Sequence, residues 1–315
     1  MLRRNFVFPA LVLLFGCSCV AHLYRCDFYS ATSCHLYFQF KFIAPVKYVV
    51  KKILLRTILF AFVAYTFICV ALYFFQERLI FFPEKVEKTL RYNFSDNYEE
   101  INIRTYDNTL LNGLLFKTDS SKGLIFYLHG NAGSIKSWGE VAKTYTDLHY
   151  DVFLLDYRGY GKSEGSITSQ AQIFQDVQSA YDEMKKQYTE DRIIVLGYSI
   201  GTGPAAKTAS ANKPKMLILQ APYFSLIDMM RHTYPIVPTF LLKYKLPTNL
   251  FIKDCKTPIV IFHGDRDEVI YYESSIKLKE LMKKSDRLIT LHGQGHDGMT
   301  NNPEYKLELK KMLAE

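Results

Sequence analysis

A serine flanked by two glycines is the feature that most restricts how this chain can fold. The segment 197–201, Gly-Tyr-Ser-Ile-Gly, follows an apolar run at 192–196 and precedes a run with helical character from Thr202. This arrangement is typical of a nucleophile elbow, a strand-to-helix turn so tight that only small residues fit beside the strained serine. The pattern predicts that Ser199 projects above the end of a sheet, close to the positive end of a helix.

Two later segments offer the groups that would make this serine reactive. A serine hydroxyl needs a base that takes its proton, and the base needs a third group that orients it. The apolar run 258–262 leads into His-Gly-Asp-Arg-Asp at 263–267, and the run 287–291 leads into a glycine-rich loop at 292–297. Both candidate segments follow predicted strands, where the catalytic groups of parallel α/β sheets collect. The order Ser, Asp, His is that of α/β-hydrolases rather than of chymotrypsin or subtilisin.

Several residues compete for the two supporting roles. We expect His296 to be the base, because glycines on both sides leave its ring free to reach the serine, whereas His292 lies at a strand end and is expected to be structural. Asp267 is favoured as the acid because it lies at the crest of its loop. Asp265 lies closer to the strand, where it would tie the turn, and Asp228 is a minor alternative.

A third segment is expected to form the oxyanion hole. The apolar run 124–128 reads as a buried strand that enters His-Gly-Asn-Ala-Gly at 129–133. The backbone N–H groups of Asn131 and Ile200 would converge on a developing negative oxygen, with Asn131 acting through its backbone rather than its side-chain amide. The alternative for 129–133 is an ordinary glycine-rich turn between a strand and a helix.

Five motifs in a fixed order carry a resemblance to a known family. They are His-Gly-Asn-Ala-Gly at 129–133, Asp-Tyr-Arg-Gly-Tyr-Gly-Lys-Ser at 156–163, Gly-Tyr-Ser-Ile-Gly-Thr-Gly-Pro-Ala at 197–205, His-Gly-Asp-Arg-Asp at 263–267 and Gly-Gln-Gly-His at 293–296. From about residue 50 onward the chain resembles the α/β-hydrolase superfamily. Within it, the chain resembles the membrane-anchored Bem46-like group, which includes α/β-hydrolase domain-containing proteins of types 13 and 17. The resemblance implies a serine hydrolase of the esterase, lipase or thioesterase kind and says little about its substrate.

The resemblance implies an α/β-hydrolase fold, and the distribution of strands and helices agrees with it. An antiparallel pair at 99–104 and 109–116 is followed by strands that alternate with helices, which implies a mostly parallel central sheet with helices on both faces. The long interruption at about 222–256 begins at Pro222 and carries three further prolines among apolar residues. It is expected to be a small lid over the site, and the alternative is a packed connection with no role in substrate binding.

Charge and hydropathy divide the chain into four parts. Residues 1–57 carry eight Lys and Arg against one acid, which accounts for all but one of the eight net positive charges. The remainder is therefore close to neutral and offers no basic face for nucleic acid. Residues 58–75 are uncharged and predict a transmembrane helix, with a linker at 76–97 and the hydrolase domain at 98–315. We expect 1–57 to be a basic leader that is either signal-like or upstream of the true start.

The flanking charges predict a topology, and the composition limits the chemistry. Basic residues precede the span, so a single pass would place the hydrolase domain on the non-cytoplasmic side. Cys255 is the one cysteine of the domain and no Cys/His spacing suggests a metal, so neither a metal nor a cofactor is expected. Tethering and an apolar lid favour membrane lipid as a partner and an acyl-containing small molecule, lipid or acylated protein as substrate. The alternative function is a catalytically silent hydrolase-fold binding module at the membrane.

Overall fold

The computed structural model describes the backbone of residues 31–314 and the side chains of residues 46–314. Most of the leader predicted at 1–57 therefore lies outside the described residues. The chain divides into two compact units, Met1–Val63 and Ala64–Glu315. The second unit contains the whole of the sheet.

The first described element is a long apolar helix, α1 (Ala31–Ile80). Its part Val46–Ile80 is long and apolar enough to cross a membrane, and no side chain of its most apolar stretch is buried in protein. Phe60 and Phe67 are 75% and 72% exposed. Exposing a helix that is apolar on every face to water is unfavourable in free energy. By length and composition, this part of α1 is therefore a candidate membrane span.

Eight strands form the central sheet, and two short strands pair beside it. The strands are β1 (Phe82–Pro83), β2 (Tyr98–Arg104), β3 (Leu110–Phe116), β4 (Leu124–Leu128), β5 (Ala132–Gly133), β6 (Asp151–Leu155), β7 (Ile193–Tyr198), β8 (Met216–Gln220), β9 (Ile259–Gly264) and β10 (Arg287–Leu291). The order across the central sheet is β10-β9-β8-β7-β4-β6-β3-β2. The β2–β3 and β3–β6 pairs are antiparallel and the other neighbours are parallel, which confirms the prediction of a mostly parallel sheet.

Helices cover the sheet on both faces. They are α2 (Ile135–Trp138), α3 (Lys143–Thr146), α4 (Gln170–Met184), α5 (Thr202–Ala211), α6 (Leu226–Thr233), α7 (Thr248–Asp254), α8 (Glu273–Lys279) and α9 (Pro303–Ala314). Successive strand residues point to opposite faces, so β4 divides its side chains between two cores. Phe126 packs in the core shared with α4 and α5, whereas Tyr127 packs in the core shared with α3 and α9. This explains why β4 is apolar at every position.

Two segments are divided into several short helical elements. The segment after β5 consists of α2, a 3₁₀ turn at Gly139–Ala142 and α3. A Cβ at Gly139 would lie 2.2 Å from the ring of Phe94. Glycine at this position therefore lets Phe94, in the segment that follows α1, pack closely against it. The segment predicted as a lid, 222–256, contains α6, a 3₁₀ turn at Thr239–Leu241 and α7.

A buried arginine holds the loop after β6. Arg158 is 5% exposed and donates hydrogen bonds to both carboxylate oxygens of Asp176, at 2.8 and 2.7 Å, and to both of Asp107, at 2.7 and 2.9 Å. Burial raises the pKa of Asp176 even with the guanidinium beside it. Arg158 therefore joins α4 to the β2–β3 turn through a paired, desolvated charge.

Replacing Arg158 with Met should destabilise the protein by about 3–5 kcal/mol, because the carboxylate of Asp176 would stay buried without a cation. Thermal unfolding of the full chain in detergent measures this loss. The matched control is Arg158→Met combined with Asp176→Leu, which removes the unpaired charge and should recover most of the stability. A single variant as stable as the double variant would contradict this role.

Candidate active site

The turn that carries Ser199 is strained and has no room for larger neighbours. Ser199 follows β7 directly, opens a 3₁₀ turn that leads into α5, and has a positive φ of 53°. A Cβ at Gly197 would lie 2.5 Å from the carbonyl oxygen of Gly201, and one at Gly201 would lie 2.3 Å from that of Leu128. The two glycines therefore permit a backbone conformation that an L-residue adopts only at a cost.

The structure brings Ser199, His296 and Asp267 into one chain of hydrogen bonds. Nε2 of His296 lies 3.0 Å from Oγ of Ser199, and Nδ1 of the same ring lies 2.8 Å from Oδ2 of Asp267. An ionised carboxylate can only accept, so Nδ1 donates to Asp267 and Nε2 is left to accept the serine proton. Ser199 and Asp267 are 8% and 9% exposed, so the chain is largely shielded from water.

The carboxylate of Asp267 is fixed by its own loop. Its Oδ1 accepts hydrogen bonds from the backbone N–H groups of Val269 and Ile270, both at 2.8 Å. Burial alone would raise its pKa, but hydrogen bonds from His263 and His296 outweigh burial and hold the pKa of Asp267 well below its usual range. Asp267 therefore stays ionised wherever the imidazole needs an orienting partner.

His263 is a second partner of this carboxylate, and its role was not predicted. Its Nε2 lies 3.2 Å from Oδ2 of Asp267 and 2.9 Å from the carbonyl oxygen of Ile270, and its Nδ1 lies 2.6 Å from Oγ of Ser275. The ring is completely buried. The four-residue spacing between His263 and Asp267 was the sequence signal for this contact. Spacing alone does not reveal that the loop after β9 folds back toward its own strand.

The other two candidates for the acid role, Asp265 and Asp228, form structural contacts instead. Asp265 accepts hydrogen bonds from Nδ1 of His292, at 2.9 Å, and from the backbone N–H of Gly293, at 2.7 Å. Asp228 pairs with Lys277 at 2.9 Å. Within the part of the chain that the structure describes, neither carboxylate is hydrogen-bonded to His296. Asp265 thus ties the loop that carries the histidine.

Tyr198 also positions this histidine, although residue spacing gives no sign of it. Its hydroxyl donates a hydrogen bond to the carbonyl oxygen of His296. Its ring meets the imidazole edge to face, with 5.7 Å between the centroids, and packs on Trp138 on another side. The residue before the nucleophile therefore fixes the backbone of the loop that bears the base.

The loop predicted to form the oxyanion hole lies beside the elbow. In the register of β4 and β7, Leu128 is paired with Gly197, and Gly201 packs directly on the carbonyl groups of Leu128 and His129. This close approach places the loop that carries Asn131 next to the turn that carries Ile200. Both N–H groups are thus at the end of the sheet where the serine hydroxyl emerges.

The side chain of Asn131 is committed to a structural role. Its Nδ2 donates a hydrogen bond to the carbonyl oxygen of Ile80, the last residue of α1. Its Oδ1 accepts hydrogen bonds from the N–H of Phe82, at 3.3 Å, and the hydroxyl of Tyr160, at 3.1 Å. The residues that follow Ile80 and Asn131 also pair, because β1 lies parallel to β5. The amide therefore binds the end of α1, which leaves only the backbone of Asn131 for the predicted oxyanion hole.

An apolar crevice begins at the residue after the nucleophile. It is lined by Ile200, Phe81, Tyr157, Ile173, Pro204 and Leu246. Its walls come from the segment after α1, from α4 and from the segment predicted as a lid. The free volume between these walls is about 10 Å³, which has room for one water molecule but not for an acyl chain in this conformation.

Among the described residues, no group of three or more His, Cys, Asp or Glu side chains could hold a metal ion. Cys69 and Cys255 are free thiols there, and Cys255 is buried.

The chain is similar to known hydrolases over much of its length. Residues 119–252 match a family model described as "Serine aminopeptidase, S33". The protein bem46 of Schizosaccharomyces pombe is 30% identical over 217 residues, which are 63% of this chain and 72% of that protein. The α/β hydrolase domain-containing protein 17C of Xenopus tropicalis is 27% identical over 200 residues, which are 62% of each chain.

Solved structures show the same fold. The Pyrococcus furiosus esterase Pf2001 superposes with a TM-score of 0.60 and 22% identity, covering 75% of this chain and 97% of that one. Est1E from Butyrivibrio proteoclasticus, solved with ferulic acid bound, gives a TM-score of 0.57 at 20% identity over 68% of this chain and 100% of that one.

Replacing Asp267 with Asn should lower the turnover of an ester substrate by about 10²–10⁴, because the imidazole would lose the acceptor that selects its tautomer. Steady-state hydrolysis of a short p-nitrophenyl ester measures the loss. Asp265→Asn is the matched control and should cost much less, since Asp265 contacts the loop rather than the ring. A larger loss in Asp265→Asn than in Asp267→Asn would show that the other carboxylate orients the base.

Proposed function

The chain belongs to the Bem46-like group of the α/β-hydrolase superfamily and is a hydrolase, and we propose that it cleaves an ester, thioester or amide through an acyl-enzyme on Ser199. The observation that carries this proposal is the hydrogen-bond chain from Ser199 through His296 to Asp267. It joins a nucleophile, a base and an orienting carboxylate in the order that acyl transfer requires.

In the first half of the reaction, Oγ of Ser199 attacks the carbonyl carbon of the substrate while Nε2 of His296 takes the serine proton. The carbonyl oxygen becomes an oxyanion, and the backbone N–H groups of Asn131 and Ile200 donate hydrogen bonds to it. The imidazolium that forms is stabilised by the ionised carboxylate of Asp267. His296 then protonates the leaving oxygen, sulfur or nitrogen as its bond to the acyl carbon breaks.

In the second half, a water molecule replaces the leaving group. His296 takes a proton from this water as the water attacks the ester carbon on Ser199, and a second oxyanion occupies the same hole. Collapse releases the carboxylic acid and returns the proton to the serine oxygen. No step requires a metal or a cofactor. A carboxylate-nucleophile mechanism, as in dehalogenases and epoxide hydrolases, is disfavoured because the elbow carries a serine.

The class of substrate is inferred from the surroundings of the serine. The apolar walls that start at Ile200 would contact an acyl chain once they part to admit it, and α1 would hold the enzyme at a bilayer. We therefore propose acyl lipids, acylated proteins or small acyl compounds as substrates. The family model that matches is named for an aminopeptidase and a solved neighbour for an esterase, so both amides and esters remain in the proposed range.

The alternative is a hydrolase fold kept as a silent binding module at the membrane. Against it stands the positive φ of Ser199, a strain that a scaffold without catalysis has no reason to keep. Labelling by a fluorophosphonate, which reacts with activated serines, separates the two functions.

We also propose that α1 anchors the enzyme in a single pass with its hydrolase domain on the non-cytoplasmic side. Lys47, Lys51, Lys52 and Arg56 precede the uncharged part of the helix. Beyond it, Glu77 and Arg78 carry no net charge. Keeping the basic side next to the cytoplasmic headgroups avoids moving those charges across the bilayer.

Replacing Ser199 with Ala should abolish fluorophosphonate labelling and lower the turnover of a p-nitrophenyl ester on the order of 10⁶-fold, because the attacking atom is lost. Gel fluorescence and steady-state kinetics measure the two effects. An unchanged unfolding temperature is the control for folding. Labelling that persists in this variant would place the nucleophile at another residue.

Protease added to the non-cytoplasmic side of intact membranes should digest the hydrolase domain and spare an epitope tag placed at Val49. The expectation follows from the basic residues that flank the helix on one side only. Immunoblotting against the tag and the domain reads the result, and detergent-opened membranes show that the tag itself can be cleaved. A protected domain with a cleaved tag would invert this topology.

A further inference from the structure

The lid carries an uncharged, exposed tip that nothing in the catalytic mechanism uses. We define the lid tip as residues 233–242, Thr-Tyr-Pro-Ile-Val-Pro-Thr-Phe-Leu-Leu, which contain no acidic or basic side chain. Phe240 is 81% exposed, Ile236 78% and Tyr234 62%. Three large apolar side chains exposed together within ten residues mark a surface that binds something apolar.

The lid tip lies against the part of α1 that belongs to the same compact unit. The hydroxyl of Tyr65 donates a hydrogen bond to the carbonyl oxygen of Ile236 at 2.7 Å. Nε2 of Gln76 donates to the carbonyl oxygen of Leu241 at 3.2 Å, and its Oε1 accepts from the backbone N–H of Lys243 at 2.8 Å. The tip therefore follows α1 from Gln76 back to Tyr65.

These contacts fix how deep the tip would lie in a bilayer. Tyr65 precedes Phe75 by ten helical residues, a rise of about 15 Å. The uncharged stretch that contains both, residues 57–76, has the length of a bilayer core of about 30 Å. Tyr65 is close to the middle of that stretch. If α1 spans the membrane, the backbone of Ile236 lies well below the headgroups.

The charges on both sides of the lid tip match this depth. Lys243 lies 3.2 Å from Glu77 and has its ammonium group 4.7 Å from the ring centre of Tyr73, at the level where the apolar stretch of α1 ends. Arg231 precedes the tip and Lys245 follows it. Basic residues at the interface with an uncharged segment between them are typical of an element that dips into a membrane.

The backbone of the tip is also suited to an apolar surrounding. Pro235 and Pro238 have no N–H group, and the N–H groups of Val237 and Leu241 donate within the tip at 3.0 and 3.1 Å. The carbonyl group of Ile236 is satisfied by the Tyr65 hydroxyl. Irregular backbone at membrane depth needs such protein partners, and these contacts supply them for part of the tip.

We propose that the lid tip inserts among the acyl chains of the bilayer that α1 crosses, with the exposed side chains of Ile236 and Phe240 in contact with lipid. This inference rests on the membrane anchoring proposed above and goes beyond it. Leu246, just past the tip, and Phe81, just past α1, both line the crevice beside the nucleophile. The lid tip and the end of α1 are therefore both joined to the apolar surface beside Ser199.

The test uses three single tryptophan variants of the full chain, each reconstituted in phosphatidylcholine vesicles with brominated acyl chains, which quench fluorescence on contact. Phe240→Trp probes the lid tip, Phe67→Trp probes α1, and Leu307→Trp probes an exposed apolar position on α9. The parent protein, which contains Trp138 alone, supplies the background. Phe240→Trp and Phe67→Trp should lose most of their added fluorescence relative to unbrominated vesicles, and Leu307→Trp should keep it.

Quenching of Phe67→Trp without quenching of Phe240→Trp would overturn the inference while leaving the anchor intact. A lid tip covered by a protein partner or by a second copy would give this result. Absence of quenching in Phe67→Trp would overturn both the anchor and the inference. Fluorophosphonate labelling of Ser199 in the same vesicles reports the proposed activity separately, because it does not depend on where Phe240 lies.

Discussion

The hydrogen bond between His296 and Asp267 is the contact on which the site depends. It connects the loops that follow two different strands, β9 and β10. It also directs Nε2 of the imidazole toward the serine at the end of β7. The carboxylate can serve in this way because hydrogen bonds from His263, from His296 and from the backbone N–H of Ile270 keep it ionised although it is buried. Without it the ring would have no fixed tautomer, and the strained Ser199 would face an unoriented base.

The fold and the positions of the candidate catalytic residues could be predicted because both follow from short-range patterns. Alternating strands and helices imply a parallel sheet, and parallel strands bring the residues after their C-terminal ends to one edge. Ser199, Asp267 and His296 each occupy such a position. The supporting contacts of His263, Tyr198 and the Asn131 side chain could not be predicted, because each depends on how a loop packs in three dimensions. The interruption at Gly139 depends in the same way on a distant ring, that of Phe94.

The end of the apolar helix and the loops of the site share direct contacts. Asn131 binds the last carbonyl group of α1 with its side chain while its backbone belongs to the proposed oxyanion hole. Gln76 and Tyr65 bind the segment predicted as a lid, and Phe81 lines the crevice beside Ile200. The segment that would hold the protein at a membrane is therefore also a wall of the site. This arrangement suits a substrate whose acyl chain comes from the bilayer.

The central claim, that Ser199 forms an acyl-enzyme, is tested most directly by rapid mixing of the full chain with a p-nitrophenyl ester, acid quenching and mass mapping of the product. The account predicts a burst of p-nitrophenol and an acyl group on the peptide that contains Ser199. An acyl group on a different residue, or turnover with no covalent adduct under any quench time, would contradict it.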